Sequence, residues 1–164
     1  MNTTIVIYGS STGTCEALAE KIASKLGCSA LNVQELSADV VAANSNLILG
    51  TSTWGAGELQ DDWYDGLKIL QNADLSHKTI ALFGCGDCAS YGDTFVGGMG
   101  QLYNGIKDSG AKFVGSVDTD GYDFDDSEAV VDGKFVGLPL DDINEDDKTD
   151  TRIETWLSAI TPEL

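Results

Sequence analysis

Three short stretches of the chain hold residue types that could do chemistry together. Residues 8–16 read YGSSTGTCE, with small and hydroxyl residues throughout and not one positive charge. Between a strand and a helix amino terminus, Ser10, Ser11, Thr12, Gly13, Thr14 and Cys15 would turn hydroxyls and unpaired backbone amides toward an anion, with the helix dipole adding to the attraction. The lysine of the GxxxxGK[ST] phosphate loop is missing, and the GxGxxG dinucleotide pattern does not fit. An uncharged nest suits a terminal monophosphate that is held permanently, because no transferring phosphoryl charge has to be neutralised. The other reading is a hydroxyl-rich turn that only caps a helix.

The second stretch, TSTWGAGELQDDW, sets Thr53, Trp54, Gly55, Ala56 and Gly57 at the end of an apolar run. A tryptophan there either plugs the core or stacks on a ligand, and the two glycines favour close approach of the backbone to a ligand. The third, GCGDCASYGDTF, carries Cys85, Gly86, Asp87 and Tyr91. If the two aromatics share one sheet edge with the anion nest, the three loops describe a pocket for a flat ring with a phosphate tail. Cys85 and Cys88 also form a CxxC, which could be a dithiol or half of a metal site. The proline and helix placement of the redox motif are absent, no second cysteine pair exists, and the sole histidine, His77, precedes a strand at the opposite edge. We therefore expect neither metal ligands nor catalytic side chains.

Such loops need a scaffold that delivers them to one place. Apolar runs at residues 4–8, 30–33, 46–51, 79–84 and 113–117 lack strict alternation, as strands covered on both faces do. Between the first two, Cys15, Leu18, Ala19, Ile22 and Leu26 share a helical face, and Gly27 supplies the stop. Further helices are predicted at 37–43, around Leu59, Trp63, Leu67 and Leu70, around Phe95, Met99, Leu102 and Ile106, and around Ile153, Trp156, Leu157 and Ile160. The last should open near Thr149 or Thr151 and close at Pro162. Alternating strands and helices imply an α/β fold with a doubly wound parallel sheet and helices on both faces, in one domain spanning residues 1–164. Ligands of such sheets sit at the carboxyl ends of the strands, where residues 9–15, 51–60 and 84–95 fall. Residues 118–150 break the pattern with 13 acids against Lys134 and Lys148, and read as an inserted loop with one or two short strands lying outside the core.

The charge balance excludes some partners. With 27 acidic and 9 basic residues, the net charge of −18 repels nucleic acids and anionic membranes and attracts basic proteins. No run approaches the roughly 20 apolar residues of a membrane span, and the first strand lies too near Met1 to leave room for a signal peptide. A cytoplasmic monomer with free thiols is the expectation.

Taken together, the three loops and the acidic insertion resemble those of the flavodoxins, of the long-chain subtype. The similarity covers Ser10 to Cys15, Thr53 to Leu59, Gly84 to Asp87 through Tyr91, and the segment DTDGYDFDDSEAVVDGKFVGLPLDDIN, which is nearly the whole chain. The resemblance implies a five-stranded sheet in the order 2-1-3-4-5 with the insertion in its last strand, and one non-covalent FMN. It implies residues 10–15 at the phosphate, Trp54 and Tyr91 on opposite faces of the ring, and the backbone of residues 54–57 and 85–87 at its edges. Cys15 departs from the usual threonine or serine, and a thiol is a poor hydroxyl substitute.

The implied function is a low-potential one-electron carrier shuttling FMN between semiquinone and hydroquinone, with no substrate turnover of its own. Basic partners such as a flavodoxin/ferredoxin reductase would dock on acids near the flavin, among them Glu58, Asp61, Asp62 and Asp65. The alternative is an FMN-dependent quinone or nitro reductase, which needs an open ring face. In the family a carbonyl after the tryptophan turns to meet the flavin N5. That carbonyl belongs here to Gly55, where a peptide flip is cheap. Gly55→Val is expected to narrow the gap between the two one-electron potentials in a redox titration, and an unchanged gap would count against this role.

Overall fold

The computed structural model describes residues 3–10, 13–54, 58–86, 92 and 94–164. Strand β1 (Thr4–Gly9) leads into helix α1 (Thr14–Leu26), followed by β2 (Ser29–Asn32), α2 (Ala38–Ala43), β3 (Asn46–Trp54), β4 (Glu58–Leu59), α3 (Trp63–Gln71), β5 (Thr79–Cys85) and α4 (Gly97–Ile106). Strands β6 (Lys112–Val114), β7 (Val117–Asp118), β8 (Val130–Val131), β9 (Lys134–Phe135) and β10 (Leu138–Leu140) come next, and α5 (Asp146–Ile160) ends the chain's regular structure. No helix among the described residues is long and apolar enough to cross a membrane.

The main sheet runs β2-β1-β3-β5, with β6 and β10 both on the outer edge of β5 and all of these pairs parallel. β6 pairs along Thr79 to Ala81 and β10 along Phe83 to Cys85, so the fifth strand is laid down in two pieces. This is the order 2-1-3-4-5. Between the pieces lies a separate antiparallel sheet of β7, β9 and β8. The split has a local cause: Gly115 adopts φ 86° and its carbonyl accepts the Trp156 indole N–H at 2.8 Å, which turns the chain away from β5.

Helices on both faces bury the sheet. One core cluster joins Ile7, Leu47, Leu49 and Leu82 to Trp63, Leu70, Met99 and Leu102, and the other joins Val6, Ile48 and Phe83 to Leu18, Ile22, Ile153 and Trp156. These residues alternate along each strand, because successive side chains point to opposite faces. α1 ends as its sequence predicts, with Gly27 at φ 71° and its amide returned to the Ala23 and Ser24 carbonyls.

Three boundaries and one burial expectation need correction. Leu59 belongs to β4 rather than to the third helix, since its amide donates to the Gln101 side chain and its backbone pairs with Thr53. α4 starts only at Gly97, after Val96 in the left-handed region at φ 46°. α5 opens at Asp146, ahead of Thr149, because Asp141 collects the amides of Ile143 and Asn144 and its carbonyl that of Glu145. Asp146 and Asp147 then sit in the first turn, where the helix dipole favours them. The acidic insertion, expected to lie outside the core, packs its aromatic side chains onto one of the two core clusters. Tyr122, Phe124 and Phe135 gather round Phe95, with ring centroids 5.0–6.2 Å apart. The carboxylates of Asp118, Asp120, Asp123 and Asp125 alternate with these rings and stay in solvent.

Arg152, the sole arginine, fastens the insertion to α5. It lies 4.0 Å over the Tyr122 ring, donates to the Gly121 carbonyl at 3.0 Å and meets Glu145 at 3.2 Å. Burial pushes the Glu145 carboxyl up, but hydrogen bonds and charge from Lys148 and Arg152 outweigh it and hold the group below its ordinary value of 4.5. A lowered folded value means stability that is present above the unfolded value and lost as pH falls through the folded one. The stability difference between the native chain and Glu145→Gln should therefore be largest near neutrality and shrink once pH drops below 4.5, as read from melting temperatures across that range.

Candidate functional site

The carboxyl ends of β1, β3 and β5 lie side by side in the sheet, with Gly9 paired to Thr51 and Ser52 to Cys85. The three loops singled out in the sequence leave from this one edge. Ser11, Thr12, Gly55, Ala56, Gly57, Asp87, Cys88 and Tyr91 lie outside the described residues, as does the side chain of Trp54. What the structure fixes is the frame that holds them.

In its described parts the first loop is a tight turn at a helix amino terminus. Gly13 has φ 92°, a conformation that costs glycine nothing, and its amide donates to the Ser10 hydroxyl at 3.1 Å. Gly13 and Thr14 are exposed at the amino terminus of α1, where Gly13 offers no side-chain cap and the first-turn amides have no intrahelical acceptor. A Cβ built on Gly13 would meet nothing within 4 Å, so the space beside the turn is open. Burial, and after it the carboxylates of Glu16, Glu20 and Glu35, push the Tyr8 phenol up at the end of β1. An anion held here is therefore held by amides and hydroxyls against an unfavourable side-chain field.

The Cys15 side chain is turned into the core. Its thiol is fully buried and shares a hydrogen bond with Cys85; that bond, with burial, keeps it protonated well above the ordinary thiol range. The thiol at the position where the sequence departs from the usual threonine or serine is therefore turned away from the turn. Cys85, at 8% exposure, closes the core beneath the third loop. Gly86 spends its amide on the Leu140 carbonyl at 2.9 Å.

The second and third loops are braced by elements that sequence reasoning did not connect to them. The Thr53 hydroxyl accepts the Gly98 amide at 3.1 Å, and Leu59 donates to Gln101 at 2.9 Å, so α4 pins both flanks of residues 54–58. Below them, the Trp63 indole donates to the Gly50 carbonyl at 2.8 Å, and a Cβ on Gly9 would come within 2.6 Å of the same indole. The third loop is braced by the insertion: the Gly92 carbonyl accepts the Asp125 and Asp126 amides at 2.7 and 3.1 Å, and the Ser127 hydroxyl donates to the Phe95 carbonyl. The Thr94 hydroxyl is buried and has no partner among the described residues. No local sequence signal pointed to Gly92, Gly98, Gln101 or Ser127, since each acts across more than 30 residues or through a backbone atom.

The sheet order 2-1-3-4-5 and the glycine turn at the start of α1 have counterparts among known proteins. A flavodoxin family model matches residues 6–156 of the chain. The chain belongs to the flavodoxin family. It is 49% identical to flavodoxin 1 of Azotobacter vinelandii, over 97% of this chain and 95% of that one, and 41% identical to the flavodoxin of Synechocystis, over 97% and 96%. Among solved structures, a Fusobacterium nucleatum flavodoxin bound to flavin mononucleotide superposes with a TM-score of 0.92 at 32% identity, covering 100% of this chain and 99% of that one. Flavodoxins are electron-transfer flavoproteins rather than enzymes with a substrate of their own, so the reductase alternative is set aside. The length and the split fifth strand of this flavodoxin match the long-chain reading.

Proposed function

We propose that this flavodoxin is one domain that holds a single FMN at the sheet edge described above and carries one electron at a time at low potential. The Gly13 turn carries the proposal. It combines a glycine that can hold positive φ, first-turn amides without a side-chain cap among the described residues and the Ser10 hydroxyl, with open space beside Gly13 and no basic residue in positions 8–16, which fits a phosphate ester bound for the life of the protein. Residues 10–15 take the phosphate, Cys15 through its amide. Trp54 and Tyr91 cover the ring, and the backbone of Thr53, Gly55, Ala56, Gly57, Cys85, Gly86 and Asp87 meets its edges.

Bound FMN supplies the one-electron chemistry. The chain supplies position, water exclusion and field. Thr53 is fixed to α4 and Gly92 to the insertion, which anchors one point of each of the two ring loops. A net charge of −18 opposes any negative charge added at this edge, which drives the potential down. The same field, with Asp61, Asp62 and Asp65 at the start of α3, draws basic redox partners to the flavin edge. These belong in the cytoplasm, with the carrier itself a monomer. Electron transfer to a basic reductase should slow markedly as ionic strength rises. A rate indifferent to salt would remove the docking role from these acids.

The function is tested by spectrum. The purified chain, or the chain incubated with FMN, should absorb as a bound flavin and take up two electrons in two resolved steps under dithionite. A chain that stays colourless with FMN present would refute the proposal.

A further inference from the structure

Gln60, at 2% exposure, is a buried polar residue directly after β4, where the chain returns from residues 55–57. Burying a carboxamide costs free energy unless its polar atoms are met, and Asp62 meets both ends of this one. The Asp62 amide donates to Gln60 Oε1 at 3.0 Å, and Gln60 Nε2 donates to Asp62 Oδ2 at 3.0 Å. Asp62 Oδ1 in turn accepts Gln34 Nε2 at 2.9 Å, from the short 3₁₀ turn Val33–Glu35 after β2. The Gln60 backbone amide reaches the Thr51 hydroxyl on β3 at 3.4 Å.

The same carboxamide lies against the end of β1. A Cβ placed on Gly9 would come within 2.5 Å of Gln60 Oε1, so the close approach requires that residue 9 carry no side chain. Gly9 is the last residue of β1, and the Gly13 turn follows it. Thr53 pairs with Leu59 and Trp54 with Glu58, so residues 55–57 connect the two legs of a hairpin, and the returning leg ends at Gln60. Gln101 sets that leg against α4, whereas Gln60 sets it against β1 and, through Asp62 and Gln34, against the segment after β2. A carboxylate holds such a donor more firmly than a neutral acceptor does. One clamped side chain thus touches the root of the first loop while its backbone closes the second.

We propose that Gln60 is a positioning residue for the flavin: clamped by Asp62, its carboxamide sets the loop after Trp54 at a fixed distance from the turn after Gly9, so that the grip on the phosphate and the placement of the ring loop depend on each other. The proposal rests on FMN binding at this edge. Riboflavin needs only the ring loops, whereas FMN must satisfy the ring loops and the turn together. The test therefore titrates the apoprotein with both flavins and follows the holoprotein by redox titration. Gln60→Met, neutral and similar in length, removes both side-chain bonds to Asp62. It should lower the ratio of FMN to riboflavin affinity about tenfold, the size of one charge-assisted hydrogen bond, and narrow the gap between the two one-electron potentials. The exchange Gln60→Glu with Asp62→Asn keeps the net charge and reverses the polarity of the pair. A glutamate at 60 accepts from the backbone amide of residue 62 and from the asparagine side chain, whose oxygen still accepts from Gln34. The exchange should recover more than half of both losses. Lower apoprotein stability in Gln60→Met with an unchanged ratio and gap would reduce the pair to a structural brace and overturn the proposal, as would an exchange variant that fails to fold or recovers less than half. Should Gln60→Met not fold, the exchange decides alone: native-like values support the proposal, and a tenfold lower ratio or a narrowed gap overturns it. A native chain that binds no FMN would refute the FMN reading, and this proposal with it.

Discussion

Ser10→Asp is expected to weaken FMN binding about a thousandfold and to leave riboflavin binding within a few-fold of its native value. The Ser10 hydroxyl already accepts the Gly13 amide at 3.1 Å, and an aspartate oxygen can accept the same bond, so the turn itself survives. What changes is one negative charge beside the proposed phosphate. At about 4 Å and an effective dielectric of ~20, two like charges repel by about 4 kcal/mol, which is about three decades in affinity. Ser10→Asn keeps the acceptor without the charge and should bind FMN nearly as the native chain does. Fluorescence titration of the apoprotein with FMN and riboflavin separates these outcomes. If aspartate cost less than tenfold, the phosphate would not lie over this turn.

The second large effect is on stability and comes from the middle of the sheet. Gly50 sits beside Phe83 in register, and a Cβ placed on it would lie 2.0–2.4 Å from three atoms of the Phe83 ring. The ring is fully buried and has nowhere to retreat. Gly50→Ala should therefore destabilise the apoprotein by about 2–3 kcal/mol, the range of overpacked cores. Phe83→Leu opens a smaller gap, and in the double variant the new methyl fills part of it. The double variant should recover at least half of the loss caused by Gly50→Ala alone, a coupling that urea midpoints can measure. Strictly additive losses would mean that the clash is not what Gly50 avoids.

These two sites differ in how readily the sequence discloses them. Gly13 could be read from its neighbours, because a glycine before a helical pattern and after a strand pattern has few roles. Gly50 could not. Its partner is Phe83, 33 positions away, and only strand pairing brings the ring over it. The same contrast runs through the fold. The heptad-like face of α1 and its Gly27 stop were legible, since a helix repeats its own period and ends by local chemistry. The starts of α3, α4 and α5 were not. They are set by Gln101 on Leu59, by Val96 at positive φ, and by Asp141 gathering the turn before Asp146.

The insertion teaches the same lesson about charge. Thirteen acids over residues 118–150 correctly placed its surface in solvent, yet they concealed that Tyr122, Phe124 and Phe135 face inward onto Phe95. Two-residue alternation over so short a span is easily hidden by composition.

By itself the sequence determined the layered α/β architecture, the three loops and the sign of the field, because strand and helix periods, turn residues and formal charge are properties of neighbouring positions. The tertiary structure alone decided that Cys15 turns its thiol to Cys85, that α4 and the insertion brace the ring loops, and that Gln60 lies against Gly9. Each of these depends on a distance between residues far apart in the chain, and such distances exist only once the sheet has paired and the helices have packed.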